Sequence, residues 1–481
     1  MRRVEQHVVF LVDDHRRRGE QRAAGLLVAI AVAGCAAVVA LPPAAAEDIA
    51  CTQWFESLDR EVDRHGVRDA ENHRLHGWPA LRVNRLLAAQ APAADAAEAA
   101  FAAWIERLRA LDEADRRIEI DNLPEAARAD IGASRLASCS RRLAGAAVQD
   151  SGSRAALLDR ARVPDRYSGA LRVAGLYALL RWPFFAGVSA WQRDHAAAVQ
   201  GAAAVPQPAR RHVPADPQPV SAEAHHAAQL LALHAPVLDI EGDADHDRFG
   251  TPAWAGDASV IVDTARPVVF ERLTHTLAGG RTLVQLVYTL WFPERPAGGP
   301  LDILAGRLDG VILRITLSPE GRPWMLDTIH ACGCWHQFFP APGVALRDDA
   351  PAFEEWVFVP SRLPELAPGE RLAVRLSSAT HQVIGIARAT SSEGRPYARR
   401  SEDELRRLPL PATLGGGTRS LYGPDGLVAG SERGERLLFW PMGIASAGAM
   451  RQWGHHATAF VGRRHFDDAG LLDRRFVFPW P

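Results

Sequence analysis

Apolar residues recur at every third or fourth position between Asp48 and about Ala204. Three stripes follow this spacing: Cys51, Trp54, Phe55, Leu58 and Val62; Phe101, Trp104, Ile105, Leu108 and Leu111; and Leu136, Cys139 and Leu143. Because a helix has 3.6 residues per turn, such spacing collects the apolar side chains of each stripe on one face. The first part of the chain is therefore predicted to be helical.

The apolar period changes to two from Pro236 onward, and β-branched residues become more frequent. This alternation is typical of strands with one buried face. The predicted strands are 267–276, 281–292, 311–317, 323–331, 356–359, 371–376 and 380–387. Turn signals at Gly279-Gly280 and at 318–322 predict two hairpins. The fold class is predicted to be α+β, with a helical N-terminal domain followed by an antiparallel β-sandwich or open-barrel-like domain.

Domain boundaries follow from a proline-rich stretch, because 205–219 contains five prolines in fifteen residues. This composition favours an extended spacer over a packed element. The predicted division is a signal peptide at 1–46, a helical domain at 47–204, a linker at 205–221, a β domain at 222–400 and an irregular C-terminal extension at 401–481 that packs on the β domain.

The N-terminal 46 residues have the pattern of an export signal. Arginines at 16–18 and 22 precede an apolar run at 23–41, and Ala44 to Ala46 offer a small-residue cleavage site. The mature chain is predicted to begin near Glu47 and to be periplasmic or secreted. Two alternatives remain open: Val-Ala-Gly-Cys35 resembles a lipoprotein signal that would anchor the protein through an acylated Cys35, and the apolar run could span a membrane uncleaved.

A second aromatic-rich stretch, 176–185, contains Pro183 and is too short to span a bilayer. We predict a buried helix end here rather than a membrane-surface anchor. The remaining segments contain no other long apolar run.

Composition excludes several functions. The net charge is −2 at neutral pH, which gives no electrostatic basis for binding nucleic acid. All 55 basic residues are arginine, which excludes catalysis through a lysine Schiff base and phosphate binding by a P-loop lysine. The Gly-x-Ser-x-Gly, His-Glu-x-x-His and dinucleotide-binding glycine motifs are also missing from the sequence.

Four cysteines remain after removal of the predicted signal, and four cysteines allow three pairings. Cys51 and Cys139 lie on apolar helix stripes of one predicted domain, so we predict a disulfide between them. That pairing leaves Cys332 with Cys334, and a bridge between them would close a very small ring. Such a bridge would be strained and easily reduced, as redox-active disulfides are.

The same stretch also predicts a metal site, because His330, Cys332, Cys334 and His336 alternate along the chain. Two thiolates and two imidazoles suit zinc or copper. The chain would have to turn at Gly333, since one straight strand cannot bring all four donors to one ion. A bridge, a metal site and reduced core thiols are the three alternatives for this pair.

Further ligands could come from His455 and His456, although adjacent histidines more often make ordinary hydrogen bonds. Asp327, or Asp467 folding back, is the expected hydrogen-bond partner for a ligating histidine. The acidic run 239–250 lacks the glycine and the closing glutamate of a calcium loop, so a solvated turn between strands is predicted there.

Two functional hypotheses follow. One is an exported metal-binding or redox module that uses the His-x-Cys-x-Cys-x-His cluster. The alternative is a non-catalytic envelope module, for binding or structure, in which the cysteines are only disulfide-bonded. The sequence assigns no enzymatic activity and no protein or small-molecule partner.

Overall fold

The structure is a computed structural model that describes residues 43–149, 151–204, 208–215, 225–367, 369–389, 391 and 393–480. Cys35 and most of the predicted signal lie outside these residues, and the chain is helical from Pro43 through the predicted cleavage position at Ala46. Within the described ranges, no helix combines the length and the apolar character needed to cross a membrane.

The N-terminal region is helical, as predicted. Its helices are α1 (Pro43–His65), α2 (Arg85–Ala89), α3 (Glu98–Asp121), α4 (Glu125–Ile131), α5 (Leu136–Gln149), α6 (Ser151–Arg160), α7 (Gly169–Ala174) and α8 (Tyr177–Ala204); α9 (His225–His234) and α10 (Arg436–Phe439) follow later. The predicted stripe of α1 is buried against α5, and Cys51 and Cys139 are bonded there with their Cα atoms 5.1 Å apart. The predicted disulfide is therefore confirmed.

A large curled sheet forms from residue 209 onward, and β1 and β2 pair separately within the helical region. The strands are β1 (His73–Arg74), β2 (Arg82–Val83), β3 (Ala209–Pro214), β4 (Val237–Glu241), β5 (Thr251–Trp254), β6 (Val260–Asp263), β7 (Val268–Ala278), β8 (Arg281–Arg295), β9 (Gly306–Leu317), β10 (Pro323–His330), β11 (Gln337–Pro340), β12 (Ala345–Leu346), β13 (Leu372–Leu376), β14 (Val383–Arg388), β15 (Arg395–Ser401), β16 (Leu408–Pro409), β17 (Thr418–Arg419) and β18 (Phe476–Val477). Ten of them form one sheet in the order β11-β10-β9-β8-β7-β15-β3-β4-β13-β14.

The α+β prediction is confirmed, but the sheet is mixed rather than antiparallel. Both predicted hairpins are present, as β7–β8 and β9–β10. By contrast, β15 runs parallel to both β3 and β7, and β13 runs parallel to β4. Turn signals fix the direction only of strands that follow each other directly, whereas these partners are joined by long connections.

Both faces of the sheet are covered. Along β8, Leu286, Tyr288 and Leu290 enter one apolar core, while Val287 and Trp291 enter the other. The second core includes Leu405, Leu421, Met450 and Phe466, which belong to the segment after β15. The C-terminal extension therefore packs on the sheet.

Two segments differ from their predictions. Part of the proline-rich linker, Ala209–Pro214, is the strand β3 in the middle of the sheet. The five residues between Pro208 and Pro214 keep their N–H groups and can form ladder hydrogen bonds, with His212 buried. The predicted burial of 176–185 is wrong as well: Leu176, Leu179 and Trp182 are 62%, 67% and 43% exposed. The domain boundaries themselves stay a prediction.

Candidate functional site

The predicted site forms the connection between β10 and β11. The Gly333 N–H donates to the His330 carbonyl (2.7 Å), and the His330 N–H donates to the Cys334 carbonyl (3.0 Å). Gly333 has a φ of 93°, a value that side chains disfavour, and a Cβ atom here would lie 2.6 Å from the Ala457 carbonyl oxygen. The chain thus turns at Gly333, the bend that a site in this stretch requires.

The turn brings the two thiols together without joining them. Cys332 is buried, Cys334 is half-buried, and both are free. Their sulfur atoms and a carboxylate oxygen of Glu435 all lie within 4.8 Å of one another. The hydrogen bond donated by Cys334 lowers the pKa of the Cys332 thiol, whereas the same bond and burial raise the pKa of Cys334. We call Cys332, Cys334 and Glu435 the thiol–carboxylate cluster.

Glu435 is held in place by its backbone and by a glycine. It immediately precedes α10, and its N–H donates to the Ile303 carbonyl (3.0 Å). Its carboxylate packs directly against Gly448, where there is no room for a side chain. Burial raises the pKa of Glu435 to about 7. This carboxyl group therefore changes its charge near neutral pH, in contrast to an exposed glutamate.

Two buried arginines provide positive charge beside the thiol–carboxylate cluster. Arg451 donates to the carbonyls of Cys332 (3.1 Å), Ala445 (2.6 Å) and Ser446 (2.8 Å). Among the described residues it forms no ion pair with a carboxylate. The second cation, Arg433, pairs with Asp309 at 3.0 Å. A buried guanidinium without a counter-charge favours an anionic thiol or carboxyl group nearby.

His330 lies beside this arginine–aspartate pair and not in the thiol–carboxylate cluster. Its Nδ1 is 3.4 Å from Asp309, which also accepts a hydrogen bond from His381 (2.8 Å). Burial lowers the pKa of His330. The His330 side chain faces Asp309, so its imidazole does not converge with the two thiols.

His336 is fixed by the aspartate that the sequence analysis named. Its Nε2 donates to Asp327 (2.9 Å), and Asp327 is also paired with Arg314. Burial lowers the pKa of His336 to about 3, so the ring is neutral and its Nδ1 accepts from the Thr458 hydroxyl at 3.3 Å. Asp327 thus orients the ring toward Thr458. Asp467 pairs with Arg85 instead.

The C-terminal histidines are also buried away from the thiol–carboxylate cluster. The Nε2 of His455 donates to the Ala70 carbonyl at 2.7 Å, an ordinary hydrogen bond and not a metal bond. Neither ring nitrogen of His456 has a hydrogen-bond partner in the described part of the chain, and its ring lies near Phe466. Burial lowers the pKa of both histidines, to about 4 and about 3.

The acidic run after β4 has no cation-binding arrangement. Asp239 and Glu241 pair with Arg211 and Arg375, and Asp247 accepts hydrogen bonds from 378 and 379. Asp243 and Asp245 are exposed between β4 and β5. The segment is a turn held by arginines and backbone amides.

The thiol–carboxylate cluster lines a cavity of about 440 Å³. Most of the remaining lining is apolar and comes from α8, from residues around Phe439 and from the 457–460 segment. Trp191 of α8 packs against Trp335 with ring centroids 4.5 Å apart, which places the helix over the cysteine turn. A volume of this size is typical of pockets for small molecules.

Sequence reasoning found the two cysteines and the bend at Gly333, but it did not find Glu435, Arg451 or the cavity. Glu435 is 101 residues beyond Cys334, in a segment whose local pattern carries no ligand signal. Comparison with protein-family models, with curated proteins and with solved structures finds no match to this chain.

Proposed function

We propose that the protein binds a thiophilic metal ion, zinc or copper, through Cys332, Cys334 and Glu435. One observation carries the proposal: three ligand atoms of the right kinds lie within 4.8 Å of one another on the wall of a cavity. Around an ion with bonds of about 2.0–2.3 Å, ligand atoms in a tetrahedron are ~3–4 Å apart. Small side-chain adjustments would bring the three atoms to that separation.

The charges around the thiol–carboxylate cluster also fit a cation. Two thiolates and a carboxylate carry three negative charges, and a divalent ion together with the uncompensated Arg451 guanidinium offsets them. Metal binding deprotonates its ligands, so the raised pKa of Glu435 would fall on loading. Three protein ligands leave one coordination position for a molecule in the cavity, as in catalytic zinc sites.

This ligand set replaces the one predicted from sequence. His336 is hydrogen-bonded to Asp327, and His330 lies beside Asp309 and outside the thiol–carboxylate cluster, so the proposal assigns them no bond to the metal. His455 and His456 are likewise left out. The alternative of a purely structural module loses support because Cys332 and Cys334 are free thiols.

The proposal places the protein outside the cytoplasm, in the periplasm or secreted. The N-terminal signal pattern supports this location, as does the Cys51–Cys139 disulfide, since such bonds persist in oxidising compartments. Lipoprotein processing at Cys35 is the alternative form of the same location.

Cobalt is a suitable probe for the thiol–carboxylate cluster. Titration of reduced, metal-free protein with Co²⁺ should produce a sulfur-to-cobalt charge-transfer band that saturates at about one ion per chain. We expect Cys332→Ser and Cys334→Ser to lose the band and Glu435→Gln to weaken binding by at least about tenfold. Glu432→Gln, which changes an exposed carboxylate three residues away, is the matched control and should titrate as the wild type does. No band in the wild type, or equal loss in both glutamine variants, would contradict the proposal.

A second candidate function is thiol–disulfide exchange. It is favoured by the closeness of two free thiols that are separated by one residue and that both line a cavity. In this reaction the two thiols would give up two electrons and two protons to a disulfide in the cavity, forming the Cys332–Cys334 bond and releasing two thiols. Oxidation of both cysteines by a model disulfide, in protein that takes up no Co²⁺, would select this candidate.

A further inference from the structure

The cavity beside the thiol–carboxylate cluster has a mainly apolar wall and opens to solvent. Aromatic and aliphatic side chains form most of this wall, among them Phe184, Trp191 and Ile444. Pro183 and Gly187 of α8 also line the cavity and are exposed, so a ligand can enter beside the N-terminal half of this helix. The volume of about 440 Å³ has room for roughly ten to fifteen non-hydrogen atoms, at the ~30 Å³ that one molecule occupies in liquid water.

The charged side chains of the wall outside the thiol–carboxylate cluster are already bound within the protein. The Arg464 Nε donates to the Thr458 hydroxyl (3.0 Å), and one Nη donates to the Thr458 carbonyl (2.6 Å). The Glu355 carboxylate accepts from the N–H groups of Phe460 (2.6 Å) and Val461 (2.9 Å). This carboxylate and that of the cluster would also repel an anionic ligand. The wall therefore favours a ligand without charge, because a charged group in an apolar cavity needs a counter-charge.

The uncharged polar groups of the wall add little to ligand binding. His336 is neutral, and its two ring nitrogens are engaged with Asp327 and with the Thr458 hydroxyl. Gln192 of α8 supplies one amide. The open coordination position of a metal ion in the thiol–carboxylate cluster is therefore the strongest polar interaction that this cavity can give a ligand.

From this wall we infer that the cavity binds an uncharged, largely apolar molecule that carries one nitrogen or sulfur donor atom for the metal. Nitrogen and sulfur are the donors that zinc and copper prefer. The apolar body of such a ligand leaves water and contacts the aromatic wall, which stabilises the complex in proportion to the area buried. The inference rests on the proposed function, because the metal ion supplies the position that the donor atom fills.

Gly187 allows the cavity to be filled without disturbing the fold. Six residues of α8 line the cavity, and Gly187 lies within their helical spacing, three residues after Phe184 and four before Trp191. No atom lies within 4 Å of a Cβ added at Gly187. In Gly187→Phe the new ring would therefore occupy part of the cavity. Gly201, about four turns further along α8, is equally open and is exposed outside the cavity wall, so Gly201→Phe is the matched control.

The 1-alkylimidazoles are suitable probes, because one ring nitrogen binds metal and the length of the alkyl chain can be varied. Added to Co²⁺-loaded wild type, they should shift the cobalt absorption bands, with an affinity that rises about fourfold for each methylene from the propyl to the hexyl compound. Gly187→Phe should take up Co²⁺ as the wild type does but bind 1-hexylimidazole at least about tenfold more weakly, whereas Gly201→Phe should match the wild type. Heptanoate, an anion with the same alkyl chain, should bind at least about tenfold more weakly than 1-hexylimidazole.

The outcomes separate this inference from the metal proposal. If Co²⁺ is bound but the affinity is the same for every chain length, or if Gly187→Phe binds 1-hexylimidazole as tightly as the wild type, the inference is wrong and the metal proposal stands. Tighter binding of heptanoate than of 1-hexylimidazole, or equal binding of 1-hexylimidazole without metal, would also overturn the inference alone. Absence of a cobalt band in the wild type would overturn the metal proposal and the inference with it.

Discussion

Gly333 is the residue on which the geometry of the cysteine turn depends. We expect Gly333→Ala to abolish metal binding, because the added Cβ would collide with the Ala457 backbone carbonyl and displace the thiols. The positive φ alone costs ~1–3 kcal/mol of folding free energy. Cobalt titration and urea unfolding of the variant measure the two effects.

Gly321 provides the control for that substitution. It also has a positive φ, 79°, but nothing lies within 4 Å of its added Cβ. Gly321→Ala should therefore lose stability to a similar strain and still bind one metal ion. If the two alanine variants bind metal equally, the close approach of Gly333 to Ala457 has no part in forming the site.

Glu435 gives the metal-free protein a specific dependence on pH. Its pKa of about 7 is above the ordinary value of 4.5, so between these pH values the folded state holds a proton that the unfolded chain has lost. This group's contribution to the free energy of unfolding therefore falls as pH rises from about 4.5 to about 7, by roughly 3 kcal/mol.

Urea unfolding of wild type and Glu435→Gln, each with chelator and reductant at about pH 5 and about pH 8, isolates that contribution. The wild type should lose more stability toward high pH than the variant does. Metal affinity should change in the opposite direction and rise with pH, because the metal needs the carboxylate. Parallel stability profiles for the two proteins would contradict the assignment of this pKa.

At the scale of elements, buried ion pairs connect the helical region to the segment that follows β15. Arg406, just after β15, pairs with Asp69 at 2.8 Å and with Asp115 of α3 at 2.5 Å. Arg82 of β2 is fully buried and also pairs with Asp115, at 3.1 Å. Removal of one partner from such a network leaves buried charges without compensation.

Neighbouring arginines allow a matched test of this connection. We expect Arg406→Met to reduce the free energy of unfolding by about 3–5 kcal/mol. Arg407→Met breaks only the exposed pair with Asp121 and should cost no more than ~1 kcal/mol. Urea denaturation monitored by circular dichroism measures the free energy of unfolding of both variants. Similar decreases in the two would show that the buried Arg406 network does not contribute more to stability than an exposed ion pair.

Local patterns in the sequence predicted the elements whose causes are local. The stripe of α1, the hairpin at Gly279-Gly280 and the turn at Gly333 each follow from side-chain period or from glycine conformation. The strand β3 and the parallel pairs of β15 depend on which distant segments meet, and no local pattern encodes that. The exposure of 176–185 was not predicted for the same reason: an aromatic-rich stretch has the same local pattern whether it is buried by distant segments or faces solvent.

Considered as a whole molecule, the site is assembled from three distant parts of the chain. The β10–β11 connection supplies the thiols, the C-terminal extension supplies Glu435 and Arg451, and α8 covers the cavity. Pairs of cysteines can be recognised in a sequence because they are close along the chain. The carboxylate of Glu435 could not be recognised in this way, because only the folding of the C-terminal extension onto the sheet brings it to the thiols.

Native mass spectrometry of the purified protein, with a parallel count of alkylated thiols after metal removal, tests the metal proposal most directly. We predict a mature chain that carries one zinc or copper ion, and two alkylatable thiols, Cys332 and Cys334, once a chelator removes it. Glu435→Gln should lose most of the metal, and Glu432→Gln should keep it. A chain without metal, in which Cys332 and Cys334 resist alkylation because they are joined to each other, would contradict the proposed function.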